Sequence, residues 1–258
     1  MNIVELSNYR DIIFYKFLGL LKAESTSNML GYVWYILEPL IQTTILFFVF
    51  GVLFEKGDIF FVLHILIGLM VWQWFEGSVN VASLGIRNHL GIHNIVKLPL
   101  FVYPTVILLA HLWKLMWLLL IIIILSLFLG FYPNLVYLHL PIVLLTLFSF
   151  IASLTFTLSI IITYFPDFLL FVSSILRLIF FFSGIFYYRD VVPDNLIFYF
   201  DLNPIALTMN MFRDIVINRI NPNYNDMIYC LSLSLLLLFI YSILYFKCRN
   251  NILKTNTI

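Results

Sequence analysis

Long apolar runs dominate this chain, and its chemistry lies where polar residues interrupt them. A membrane-spanning helix needs about 20 mostly apolar residues. Six runs qualify, at roughly 33–54, 59–83, 104–129, 136–164, 168–188 and 228–246. Two intervening segments are longer than simple turns: 84–103 follows the second run and 189–227 precedes the last. Ahead of the first run, "YRDIIFYKFLGLLKAE" places Ile13, Phe17, Leu20 and Leu21 at helical spacing. Phe14 and Leu18 widen that stripe, and Asp11 and Lys22 return to the opposite side. The pattern fits a helix over residues 9–26 lying in the membrane interface, although a helix packed on protein would show the same stripe. The expectation is an all-α integral membrane protein, a single transmembrane domain over 1–258, with six spans and an N-terminal interfacial helix.

The interruptions are specific. In the second run, Gln73, Glu76, Asn80, Ser83 and Arg87 fall within a sector of roughly 80° at about 100° per residue, flanked by Trp72 and Trp74. The first run carries Glu38 and Gln42 one turn apart, beside Trp34, Tyr35 and Pro39. The third carries His111 and Lys114, and the fifth Arg177. A charge at mid-membrane costs about 2.5–3.5 kcal/mol even on the lenient insertion scale. These groups must therefore face helices or water rather than lipid. Glu38, Glu76, Lys114 and Arg177 offer two acids and two bases, which either pair into a structural cluster or line a hydrated conduit. Thr146, Ser149, Ser153 and Thr157 share a face of the fourth run, where small hydroxyl residues favour close helix packing.

The two long segments read differently. In 84–103, Arg87, Asn88, His89, His93, Asn94 and Lys97 mix with Leu90, Ile92 and Ile95 ahead of Pro99, as in a short helix that docks into a soluble partner. His89 and His93 have the i, i+4 spacing of a metal pair, but neither an HExxH glutamate nor a third ligand follows, so no metal is expected. In 189–227, "NP" at Asn203–Pro204 divides two short helical patterns, a hinged lid expected at an external mouth together with Tyr187 and Arg213. Non-helical backbone at that depth is tolerated only when buried in protein or lining a cavity.

Composition sets the solvent. With 63% hydrophobic and 10% charged residues, against about 45–50% and 25% in soluble domains, the chain belongs in a bilayer. Its mean hydropathy of +1.04 says the same. A net charge of +1 gives no reason to expect nucleic acid as a partner. Eight Lys and Arg gather on one side (Arg10, Lys16, Lys22, Arg87, Lys97, Lys247, Arg249, Lys254) and four on the other (Lys56, Arg189, Arg213, Arg219). That bias places both termini and 84–103 in the cytoplasm. The first residues lack a basic stretch followed by a small-residue cleavage site, so a removed signal peptide is not expected. Cys230 and Cys248 form no redox or zinc spacing. No GxxxxGK[ST] phosphate loop is present, so any ATP-driven work needs a separate subunit, and ATP and magnesium would be bound there. Six spans are also few to enclose a wide conduit, which points to a homodimer.

Several segments resemble, in order, the permease subunits of ABC type-2 exporters of capsular polysaccharide, O-antigen and teichoic acid. "LGYVWYILEPL" at 30–40 is similar to the family's LGxxWxxLxP start of the first span, and "IVKLPLFVYP" at 95–104 to its basic–Pro opening of the third. "YFPDF" at 164–168 resembles xFRD with Pro166 where Arg is usual. "SGIFY" at 183–187 resembles SPIxY with Gly184 in place of Pro, and "NPIALTMNMFRDIVI" at 203–217 resembles NPxxxxxxxxR. The resemblance implies a homodimer with two nucleotide-binding ATPase subunits, moving a lipid-linked polysaccharide through a channel between protomers in a bacterial inner membrane. Trp34, Tyr35, Glu38, Gln42, Trp72, Gln73, Trp74, Glu76, Asn80, Lys114 and Arg177 would border that path. Tyr187, Asn203, Pro204 and Arg213 would form the external gate, and Arg87, Asn88, His89, His93 and Lys97 would couple to the ATPase. Two other classes remain open from the residues alone. One is a membrane glycan polymerase or acyltransferase using Asp190, Asp194 or Asp201; the other is an ion-coupled carrier using Glu38 and Glu76 as proton sites.

Overall fold

The computed structural model describes residues 3–27, 31–54, 58–89 and 98–252, which are helical with short connections and contain no strand. Helix α1 spans Ile3–Ser27. Helix α2 spans Trp34–Leu46 and runs on through a π-helical stretch, Phe47–Leu53. Helix α3, Ile59–Gly77, starts at Asp58, whose carboxylate accepts from the Phe61 N–H at 3.0 Å. It ends in a π turn, Ser78–Ala82, followed by the short α4, Gly85–Asn88. Then come α5 (Val102–Phe128), α6 (Leu140–Tyr164), α7 (Phe168–Phe182), α8 (Asp194–Asp201), α9 (Pro204–Arg213) and α10 (Tyr224–Ile252).

Among the described residues, five helical stretches are long and apolar enough to cross a membrane: Gly31–Leu53, Phe60–Ala82, Val102–Phe128, Leu135–Tyr164 and Tyr224–Lys247. The run expected at 168–188 is a helix of only 15 residues, α7. At 1.5 Å per residue it reaches about 22 Å, short of a hydrocarbon core of about 30 Å. Its end is fixed by Gly184, which has φ +68°, a left-handed conformation that no proline can adopt. A Cβ there would also meet the Phe200 ring at 3.0 Å. The glycine that departs from the family pattern therefore makes the turn that brings 185–188 back under α8.

The core is centred on α3, whose side chains from Phe61 to Phe75 are almost all buried. It packs against α2, α5 and α9, while α6 pairs along its length with α10. The hydroxyls of Thr146, Ser149, Ser153 and Thr157 donate to carbonyls of their own helix, and Thr157 also reaches the Leu237 carbonyl of α10 at 3.1 Å. That is the packing role the small hydroxyl face implied. Pro39 neither ends nor starts α2. The junction with α1 lies earlier, at Gly31–Val33, and the helix continues through the proline. The stripe of α1 lies along α5: Ile13 and Phe17 share a groove with Leu109, Leu112, Trp113 and Met116, and Leu21 is buried. Phe14 and Leu18 are exposed.

Candidate functional site: an intramembrane polar cavity

A cavity of about 790 Å³ opens between α2, α3, α5 and α7. Trp34, Tyr35, Glu38 and Gln42 come from α2, Gln73, Glu76 and Asn80 from α3 and its π turn, His111 and Lys114 from α5, and Arg177 from α7. The structure thus draws residues from four separate runs to one site. Cross-links hold its walls: Gln73 Nε2 donates to Gln42 Oε1 at 3.0 Å, joining α3 to α2, and Ser173 Oγ donates to Asn80 Oδ1 at 2.9 Å, joining α7 to α3.

The charges are not paired two against two. Lys114 Nζ contacts Glu24 Oε2 at 2.9 Å and Oε1 at 3.1 Å. Glu24 belongs to α1 and also accepts from the Tyr35 hydroxyl. Glu76 accepts from Trp72 Nε1 at 2.7 Å, one turn back on its own helix. Glu38 and Arg177, both exposed, make no hydrogen bond or ion pair among the described residues. The lining is mixed, with Leu69, Met70, Leu115 and Leu118 beside the polar groups.

Two sequence expectations are modified. Trp72 and Trp74 do border the cavity, although at 3% and 2% exposure most of each ring is packed in protein. The more open aromatic surface there comes from Trp34 and Phe181, both exposed, with Tyr35 and Phe180 beside them. The polar seam of the second span stops at Asn80. The π turn at Ser78–Ala82 adds one residue to the helical register, rotating everything beyond it by about 100°. Ser83 is consequently buried on the Val79 carbonyl, and Arg87 is exposed away from the cavity. Glu24 is the charge partner of Lys114 that the sequence did not reveal, because it sits in α1, 90 positions away.

At the far end of α7, the pair α8–α9 is pinned at Asn203 and Arg213. Asn203 Oδ1 caps α9 by accepting from the Ile205 and Ala206 N–H groups at 3.0 and 3.4 Å, and its Nδ2 donates to Ser183 Oγ at 2.9 Å. Arg213 is buried. Its Nη2 donates to the His64 and Ile185 carbonyls at 3.1 and 3.3 Å, and its Nη1 to Asn210 at 3.3 Å. Burial pulls this guanidinium below its ordinary range. The backbone of α3 comes close enough because residue 68 is glycine; a Cβ there would lie 2.8 Å from Arg213 Nη2. Tyr187 holds the same corner, its carbonyl 3.2 Å from His64 Nε2. Arg189 closes α8 onto this turn through two contacts to Asp201, at 3.0 and 2.5 Å.

In the segment after α3, Arg87 and Asn88 are exposed, while His89 stacks on Tyr103 with centroids 4.8 Å apart and contacts the Gly85 carbonyl at 2.8 Å. His93 and Lys97 lie outside the described residues. No group of three or more metal-ligating side chains occurs among the described residues.

Comparison with known proteins decides between the open classes. The family model described as ABC-2 type transporter matches residues 16–217, most of the chain and every helix that borders the cavity. The chain belongs to the ABC-2 type transporter family. It is 25% identical over 236 residues to an O-antigen export system permease protein, RfbA, of Myxococcus xanthus, covering 91% of each chain. It is 27% identical over 215 residues to a Klebsiella pneumoniae protein of the same name, covering 81% of this chain and 82% of that one. This chain is therefore a multi-pass membrane transport protein.

Proposed function

We propose that this ABC-2 subunit exports a lipid-linked polysaccharide across a cytoplasmic membrane, and that two copies enclose the path. The observation that carries this reading is the cavity itself. It gathers Glu38, Gln42, Gln73, Glu76, Asn80, Lys114 and Arg177 in one space with an exposed tryptophan, beside apolar side chains that α2 and α7 leave exposed. A second copy covering them would turn a groove into a channel. The names of its relatives favour an O-antigen as cargo over a capsular polysaccharide. In this reading both termini and the 84–103 segment face the cytoplasm. Arg87, Asn88 and His89 then lie where a nucleotide-binding subunit would press, and two such subunits supply ATP hydrolysis with ATP and magnesium bound there. The pair α8–α9 forms the external gate.

Disrupting the gene should leave completed polymer inside the cell with its synthesis intact. The purified chain should hydrolyse no ATP until its ATPase partner is added. Polymer reaching the surface at the normal rate without this gene would refute the assignment.

A further inference from the structure

Lys114 stands at the wall of the cavity with two chemically different neighbours. Its ammonium lies 4.8 Å from the centroid of the Tyr35 ring and is clasped by both oxygens of Glu24. A cation held over an aromatic face with a two-oxygen anion is the arrangement that would bind one phosphoryl group. The anion occupying it here comes from α1, which rests on α5 rather than being threaded through the core. The ion pair is half-open: the Lys114 and Glu24 side chains are 26% and 36% exposed. Solvent or a competing anion therefore has access to it.

We propose that Glu24 is an intramolecular placeholder for the anionic head of the cargo, and that Lys114 with Tyr35 is the phosphate-binding subsite it keeps occupied. The ligand class is a phosphate or diphosphate ester on a polyprenyl chain. Its arrival displaces Glu24, which loosens the end of α1 from α2 and α5. Occupied by Glu24, the subsite rejects neutral lipids and weakly binding anions, because either must give up more than it gains. This inference rests on the proposed export of a lipid-linked glycan.

The test is calorimetric titration of the purified chain in phosphatidylcholine nanodiscs with farnesyl diphosphate, farnesol and inorganic diphosphate, and with nanodiscs containing phosphatidylglycerol as competitor. Farnesyl diphosphate should bind at least about tenfold more tightly than farnesol, as a charge-assisted contact to a lysine requires. Glu24→Gln should tighten it about fivefold, because the fraction of Lys114 free to bind rises once its half-exposed partner is neutral. Asp11→Asn removes an exposed carboxylate from the same helix, outside the cavity and without releasing Lys114, and should change binding less than about twofold. Lys114→Gln should abolish the preference for diphosphate, and Lys114→Arg, which keeps the cation, should restore it and guards against a folding defect. Equal gains from Glu24→Gln and Asp11→Asn would show a general charge effect and overturn the placeholder. So would weaker binding in Glu24→Gln, or displacement by phosphatidylglycerol or inorganic diphosphate at equal concentration. If these fail while the disrupted strain still retains polymer, only the subsite falls and the export reading stands.

Discussion

At the scale of single residues, the cavity separates groups that hold structure from groups that face the path. Glu76 does both, since it accepts from Trp72 Nε1 and borders the cavity. Glu76→Gln keeps an oxygen for the indole and removes the charge. Export rate should therefore fall while the amount of protein in the membrane stays constant, measured by surface polymer against an immunoblot. A loss of protein in proportion to export would make the residue structural. Gly68→Ala tests the opposite end. Its methyl would sit 2.8 Å from Arg213 Nη2 and 3.2 Å from the Ile185 Cα, and the latter is backbone that cannot swing aside. A destabilisation of about 1–3 kcal/mol is expected, read as a lowered thermal midpoint. The sequence showed which residues were polar at membrane depth, but not their partners. Lys114 looks, in one dimension, like a match for Glu38 or Glu76, and its real partner lies in a helix set apart as interfacial.

At the scale of elements, helix content was legible because length and apolarity are properties of a run, whereas register was not. The π turn at Ser78–Ala82 has no signature in composition, yet it ends the cavity lining at Asn80 and turns Arg87 outward. The break at Asn203–Pro204 was legible, because a proline at the first helical position after an Asx cap has a local cause. Its energetics can be divided by two substitutions. Asn203→Ala removes the acceptor for Ile205 and Ala206 and the donor to Ser183, and should cost about 0.5–2 kcal/mol. Asn203→Asp keeps the acceptor and should cost less. Thermal midpoints that fall equally for both would assign the effect to the Ser183 contact alone. The segment after α3 is testable in the same terms. Arg87→Ala with Asn88→Ala removes exposed side chains that brace nothing among the described residues. The double variant should leave the thermal midpoint within about 0.5 kcal/mol of unchanged stability while uncoupling ATP hydrolysis by the partner from export.

At the scale of the whole molecule, the proposed second copy is best placed over the cavity. Helix α2 exposes Ile41 and Ile45, and α7 exposes Leu178 and Phe181; of these, Ile45 and Phe181 also border the cavity. Helix α10 exposes Leu235 and Phe239 to a similar degree, 67% and 66% against 57% for Ile45 and 60% for Phe181, but borders no part of the cavity. Apolar exposure alone therefore cannot say which surface meets lipid and which meets protein, since lipid tails are as apolar as leucine. Position relative to the polar cavity can. Glu38 and Arg177 face that cavity without partners, and lipid tails at its opening would leave both ions against hydrocarbon. A protomer related by a twofold axis would close the opening with the same two helices on each side, as an isologous contact requires. Single cysteines placed at Ile41, Ile45, Leu178 and Phe181, in a background of Cys230→Ala and Cys248→Ser, should form disulfide dimers in oxidised membranes. Cysteines at Leu235 and Phe239 should not. Crosslinks confined to α10 would place the second copy behind α6 and leave the cavity open to lipid. Each chain would then need some other cover for its ions, and the channel between protomers would be lost.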